Sequence, residues 1–119
     1  AEVDAYAADP LCGFRCTNQF WIDLLGGLQQ ISTPANLSQI DASLPILIIG
    51  GECDPVSAGK RLTDLANALR QSGNQSVQLK VYPQARHELF NETNRDAVMA
   101  DVIAWLEQAL THPRPARSE

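Results

Sequence analysis

Two short stretches of this sequence carry side chains of the kinds that move protons. The first, Gly50-Gly51-Glu52-Cys53-Asp54-Pro55-Val56, places a carboxylate just past a run of branched aliphatic residues. The second, Pro83-Gln84-Ala85-Arg86-His87-Glu88-Leu89-Phe90-Asn91-Glu92, places an imidazole just past another apolar stretch. A carboxylate on one imidazole nitrogen fixes the tautomer and stabilises the imidazolium, leaving the other nitrogen free to take a proton from a nucleophile. Asp54 and His87 are therefore the candidate acid and base. Each also has a plain structural reading: Asp54 suits the cap of a helix starting near Pro55, and a loop histidine is ordinarily bonded to backbone. The chemical reading is favoured because the two positions, reached independently, agree. Glu88 and Glu92 are read as organising the His87 loop, since a second carboxylate beside the base has no proton to move. Cys53 is read as packing, because a nucleophilic thiol would need the imidazole that the acid already occupies.

The elements that must position this pair are legible around it. Residues 44–49 form a continuous aliphatic run ended by Gly50-Gly51, the pattern of a strand covered on both faces. Residues 60–72 follow with Leu62, Leu65, Ala66 and Leu69 at helical spacing and Gly73 just beyond as a C-cap. Val77, Leu79 and Val81 then alternate with Gln78, Lys80 and Tyr82, which predicts a second strand with the first set turned inward. Strand, helix, strand is a βαβ crossover, so both strands run the same way and their following loops lie at one sheet edge, where parallel sheets bind ligands. A last helix over 94–110 places Val98, Val102, Trp105, Leu106, Ala109 and Leu110 on one face, with Pro113 and Pro115 to end it. Before these elements, Phe20, Trp21, Leu24, Leu25 and Leu28 predict a short amphipathic helix closed near Gly26-Gly27, and 32–42 reads as a connector.

Composition narrows the classes. Apolar residues make up 45% and charged residues 19%, so a packed domain rather than a disordered chain is expected. With a formal net charge of -5 and no basic stripe, nucleic acid is excluded as a partner. Cys12, Cys16 and Cys53 are an odd count without repeated spacing, which argues for free thiols and a reducing, cytoplasmic setting. Neither histidine completes ligand spacing with Cys12 and Cys16, so no metal site is expected. The first residues lack the basic and apolar regions of a signal peptide, and no apolar run reaches the length of a membrane span. Two strands alone cannot flank a doubly covered strand, so completion by an upstream region, a homo-oligomer or a strand exchange is expected.

Residues 44–110 resemble the C-terminal half of α/β-hydrolases of the lysophospholipase and monoacylglycerol lipase group. The resemblance rests on Gly51-Glu52-Cys53-Asp54-Pro55-Val56 and, more distinctively, on the His-Glu-x-x-Asn-Glu run His87-Glu88-Leu89-Phe90-Asn91-Glu92. Asp9-Pro10-Leu11-Cys12-Gly13 and the helix after it are similar to the end of that group's cap region. The resemblance implies Asp54 as triad acid, His87 as triad base, a lipid-like or small ester substrate, and no cofactor. It also implies a division into a cap end and connector over 1–43 and a hydrolase core portion over 44–110, and the prolines at 113 and 115 set off a flexible tail over 111–119. The fold's nucleophile, a serine in Gly-x-Ser-x-Gly, has no counterpart among these residues, and the oxyanion donors that accompany it are missing with it. The expected fold class is thus α/β, the C-terminal βαβα portion of a hydrolase sheet preceded by a short cap-derived helical segment. The expected function is the acid and base half of a serine carboxylic-ester hydrolase, with a chain slowed by about four to six orders of magnitude when alone. The alternatives are an assembly domain that pairs through an open sheet edge, and a hydrolase of other chemistry such as a peptidase or thioesterase.

Overall fold

The computed structural model describes residues 2–57 and 60–111, in two compact units that divide at Thr33 and Pro34. The first unit holds two helices. The first, α1 (Glu2–Ala8), has no forerunner in the sequence reading. It forms because alanine favours helix and because Glu2 and Asp4 sit in the first turn, where carboxylates suit the helix dipole. Asp9 ends it by turning its carboxylate onto the amide of Leu11 at 2.8 Å. The second, α2 (Asn18–Ile31), is capped by Thr17, whose hydroxyl accepts from the Phe20 amide at 3.1 Å. It runs through Gly26 and Gly27 instead of closing there. Glycine lowers helix propensity by about 1 kcal/mol but stops a helix only when it turns to positive φ, and neither residue does. No residue of α2 is buried.

The second unit opens with α3 (Pro34–Leu37), so the connector packs with the second unit: Leu37 is buried in its core. The strand β1 (Ile46–Gly51) pairs parallel with β2 (Val77–Tyr82), in register from Ile46 opposite Val77 to Gly51 opposite Tyr82. The crossover is α4 (Lys60–Gln71), whose Ala66 and Leu69 bury against Ile48 and Val77, with Leu62 and Leu79 beside them. Its end is a Schellman motif: Gly73 at φ 112° lets its own amide bond the Arg70 carbonyl at 3.1 Å and the Asn74 amide bond that of Leu69 at 3.2 Å. Asn74, 2% exposed, then donates to the carbonyls of Asp41 and Leu44 and accepts from the Ser76 amide, which ties the connector to the start of β2.

The opposite sheet face is covered by α5 (Arg95–Thr111) together with a 3₁₀ turn at Leu89–Asn91. Tyr82, Ala85, Leu89 and Val98 form that second core, with Ile49 packed against it. Two sequence expectations are corrected here. Tyr82, assigned to the outward set of β2, is 5% exposed, because its ring passes under α5 and its hydroxyl donates to Asp101 at 2.9 Å. Val81 is exposed instead, since its register partner Gly50 has no side chain to cover it. Along α5 only Val98 is buried, while Leu106 and Leu110 of the expected apolar face are 46% and 83% exposed. A cavity of about 330 Å³ lies between the sheet and that helix, lined by Leu47, Ile49, Lys80, Asp101 and Trp105 among others. Pro113, Pro115 and the tail beyond Thr111 lie outside the described residues.

Candidate active site

The two strands end side by side, and the loops that leave them are joined by continuing the ladder past the strand ends. The Glu52 amide donates to the Tyr82 carbonyl at 3.0 Å and the Cys53 amide to the Ala85 carbonyl at 2.8 Å. Glu52 also accepts the Gln84 amide at 3.1 Å, holding the tight turn in which Gln84 takes φ 60°. So close an approach requires Gly51: a Cβ there would lie 2.2 Å from the Arg86 carbonyl oxygen and 2.3 Å from that of Ala85. The second loop is braced from within. Glu92 accepts the Arg86 amide at 2.6 Å, and the Glu88 carboxylate accepts from the side-chain amide of Asn91. Both glutamates therefore organise the loop that carries His87, as their types suggested.

Within this frame Asp54 and His87 meet. The carboxylate is 5% exposed, and its Oδ2 lies 3.1 Å from Nδ1 of the imidazole. An ionised carboxylate only accepts, so Nδ1 carries the proton, and in the neutral imidazole Nε2 presents its lone pair. The His87 side chain is 60% exposed, which leaves that nitrogen open to an incoming group. Asp54 makes two further bonds. Its Oδ1 accepts the Val56 amide at 2.8 Å, and its Oδ2 accepts the Ser57 hydroxyl at 2.5 Å. The cap reading of Asp54 is thus realised as a turn at Val56 and Ser57 rather than at a helix start, and it coexists with the contact to His87. The Ser57 hydroxyl foremost, then His87 and the Val56 amide, hold the carboxyl well below the usual carboxylate range against the opposing effect of desolvation.

Ser57 is the residue that sequence reasoning missed; the only signal was its Asp-x-x-Ser spacing, which also marks countless ordinary turns. Cys53, read as packing, is exposed, because the strand has ended two residues earlier at Gly51 and only its backbone is engaged. Cys12, Cys16 and Cys53 are all free thiols. Ser32, Ser38, Ser43 and Ser72 direct their hydroxyls to Leu28, Ala35, Asp41 and Leu69, so none of these four is turned to the imidazole. Beside His87 a cavity of about 390 Å³ is lined by Ile49, His87, Glu88, Leu89, Phe90 and Asn91.

A parallel βαβα unit with helices on both sheet faces is α/β architecture, of the kind from which the α/β-hydrolase sheet is built. In keeping with that class, the chain superposes on a highly thermostable carboxyl esterase from Bacillus coagulans, solved in complex with glycerol, with a TM-score of 0.79 and 29% identity over 92% of this chain. It is 34% identical over 107 residues to a monoacylglycerol lipase of Mycolicibacterium smegmatis. Residues 1–94 match the serine aminopeptidase, S33 family. The chain belongs to that family of α/β-hydrolase serine hydrolases. It spans 35% of the length of the lipase and 36% of that of the esterase. Among the described residues, no helix is long and apolar enough to cross a membrane.

Proposed function

We propose that these residues supply the acid and base of a serine carboxylic-ester hydrolase, with Asp54 as the triad acid and His87 as the triad base. The observation that carries this reading is the 3.1 Å contact between Asp54 Oδ2 and His87 Nδ1 at the C-terminal edge of the parallel strands. In this mechanism the hydroxyl of a Gly-x-Ser-x-Gly serine, contributed from outside the 119 residues, attacks the ester carbonyl while His87 Nε2 takes its proton. The imidazolium that forms faces the Asp54 carboxylate, which stabilises it and keeps the ring oriented. His87 then returns the proton to the departing alcohol, and a water activated by the same nitrogen releases the acyl group.

The substrate class is a lipid-like or small ester of the monoacylglycerol or lysophospholipid kind, and no cofactor takes part. Support comes from the likeness to a monoacylglycerol lipase and a carboxyl esterase. Residues 1–43 serve as the end of a cap with its connector, and residues 44–110 as the core portion, in a cytoplasmic protein. The test is hydrolysis of p-nitrophenyl esters by the protein that joins these residues to a nucleophile region. A serine-directed fluorophosphonate is expected to abolish activity, and His87→Ala to lower kcat by about four orders of magnitude. Retention of activity in His87→Ala would sink the proposal. Aminoacyl nitroanilides run in parallel separate the peptidase alternative.

A second reading, an assembly domain, is favoured by one observation: β1 and β2 form a two-stranded sheet whose outer edges have no partner strand among the described residues. That reading gains if the 119 residues form a stable oligomer and no longer protein hydrolyses esters.

A further inference from the structure

Ser57 lies three residues after the acid, in the turn that the acid itself caps; it is half-buried, and its hydroxyl reaches the same oxygen that faces the base. At 2.5 Å the bond is shorter than the 3.1 Å contact that His87 makes with that oxygen. Its proton points at a carboxylate rather than at an imidazole nitrogen, so Ser57 is not placed to act as a nucleophile. With Val56 on Oδ1 and Ser57 on Oδ2, the carboxylate is held at both ends and cannot rotate about its Cβ–Cγ bond without breaking a charge-assisted bond. His87 is largely exposed, and the carboxylate is what holds its ring.

We propose that Ser57 is a positioning residue for the acid and base pair: its hydroxyl locks the Asp54 carboxylate toward His87 and, by sharing Oδ2, sets how strongly that oxygen draws the imidazole proton. The inference rests on the hydrolase reading above. It carries a chemical consequence beyond orientation. An oxygen relieved of the Ser57 donor is a stronger acceptor, so it favours the imidazolium more and demands a higher pH before the base is free.

The experiment compares Ser57→Ala, Ser57→Thr and Ser57→Cys in the protein that joins these residues to its nucleophile, with kcat and KM for a p-nitrophenyl ester measured from pH 5 to about 9. Ser57→Ala is expected to lower kcat about tenfold with KM changed less than about twofold, and to move the acid limb of kcat/KM to higher pH. Ser57→Thr, which keeps the hydroxyl, is expected to restore both the rate and the limb. Ser57→Cys fills the same space with a weak donor, and it is expected to keep the thermal midpoint while showing the displaced limb. An Ala or Cys variant with parental kcat and an unmoved limb overturns the proposal, as does a folded Thr variant no better than Ala. His87→Ala and Asp54→Ala run alongside keep the two ideas apart. If both retain activity, the hydrolase reading has failed; if both are silent while Ser57→Ala is unchanged, only the role of Ser57 has.

Discussion

At the scale of single residues, the bonds around Asp54 couple the site to pH. Its carboxyl is held well below the usual carboxylate range by Ser57, with His87 and Val56 assisting, so it favours the folded state only when ionised. That contribution is complete above the ordinary carboxylate pKa of about 4 and is lost as pH falls through the lower folded value. Asp54→Asn is therefore expected to be less stable than the parent at pH 7 and to converge with it in acid, as followed by urea midpoints across pH. Tyr82 behaves in the opposite sense. Burial, helped by the Asp101 carboxylate that accepts its hydroxyl, leaves its phenol pushed up to about 12. The neutral ring thus favours folding below the ordinary value of about 10, and this is lost as pH rises through about 12. Tyr82→Phe is expected to flatten the alkaline limb of stability, read by circular dichroism between those values. The Lys80 ammonium foremost, and the Tyr82 hydroxyl after it, draw the Asp101 carboxyl below its ordinary range.

At the scale of elements, the crossing of the two loops at Gly51 is the tightest requirement. Gly51→Ala drives a methyl into the carbonyls of Ala85 and Arg86, and the backbone on either side must part. A loss of about 1–3 kcal/mol in urea denaturation is expected, with ester hydrolysis falling further than stability because the carboxylate and imidazole separate together. Val98, fully buried under the second core, is expected to cost about 2 kcal/mol as Val98→Ala by the same measurement. How much of this the sequence discloses depends on how each feature is encoded. The strands, the crossover helix and the meeting of Asp54 with His87 were legible, because an aliphatic run, a helical stripe and a Schellman glycine are local patterns and the βαβ rule converts them into proximity. Ser57 was not, since a serine beside an acid carries no distinguishing mark until distances are known. The burial of Tyr82 escaped for a related reason: alternation assigned its face by polarity, whereas an aromatic ring with a hydroxyl partner buries readily. The helix α2 outran its expected end because neither Gly26 nor Gly27 turns to positive φ, a fact that periodicity does not carry.

At the scale of the whole molecule, the chain presents more apolar surface than its own elements cover. On α2, Phe20, Trp21, Leu24, Leu25 and Leu28 are all exposed, and on α5 so are Ile103, Leu106 and Leu110. Such faces, together with unpaired strand edges, favour association. The 119 residues taken alone are expected to show a sedimentation coefficient that rises with concentration, and a charge placed on the α5 face as Leu106→Glu is expected to reduce it. A chain that stays monomeric at high concentration would remove the edge from consideration. The ladder bonds that outlast the strands, from Glu52 to Tyr82 and from Cys53 to Ala85, have a kinetic meaning as well. Their amide protons exchange with solvent only when the end of the sheet frays, so in deuterated water these two are expected to label with the strands, on the slow side, and not with the loops they belong to. The backbones that carry the carboxylate and the imidazole then part only as often as the end of the sheet opens, so the spread of their separations is inherited from a strand rather than from a loop.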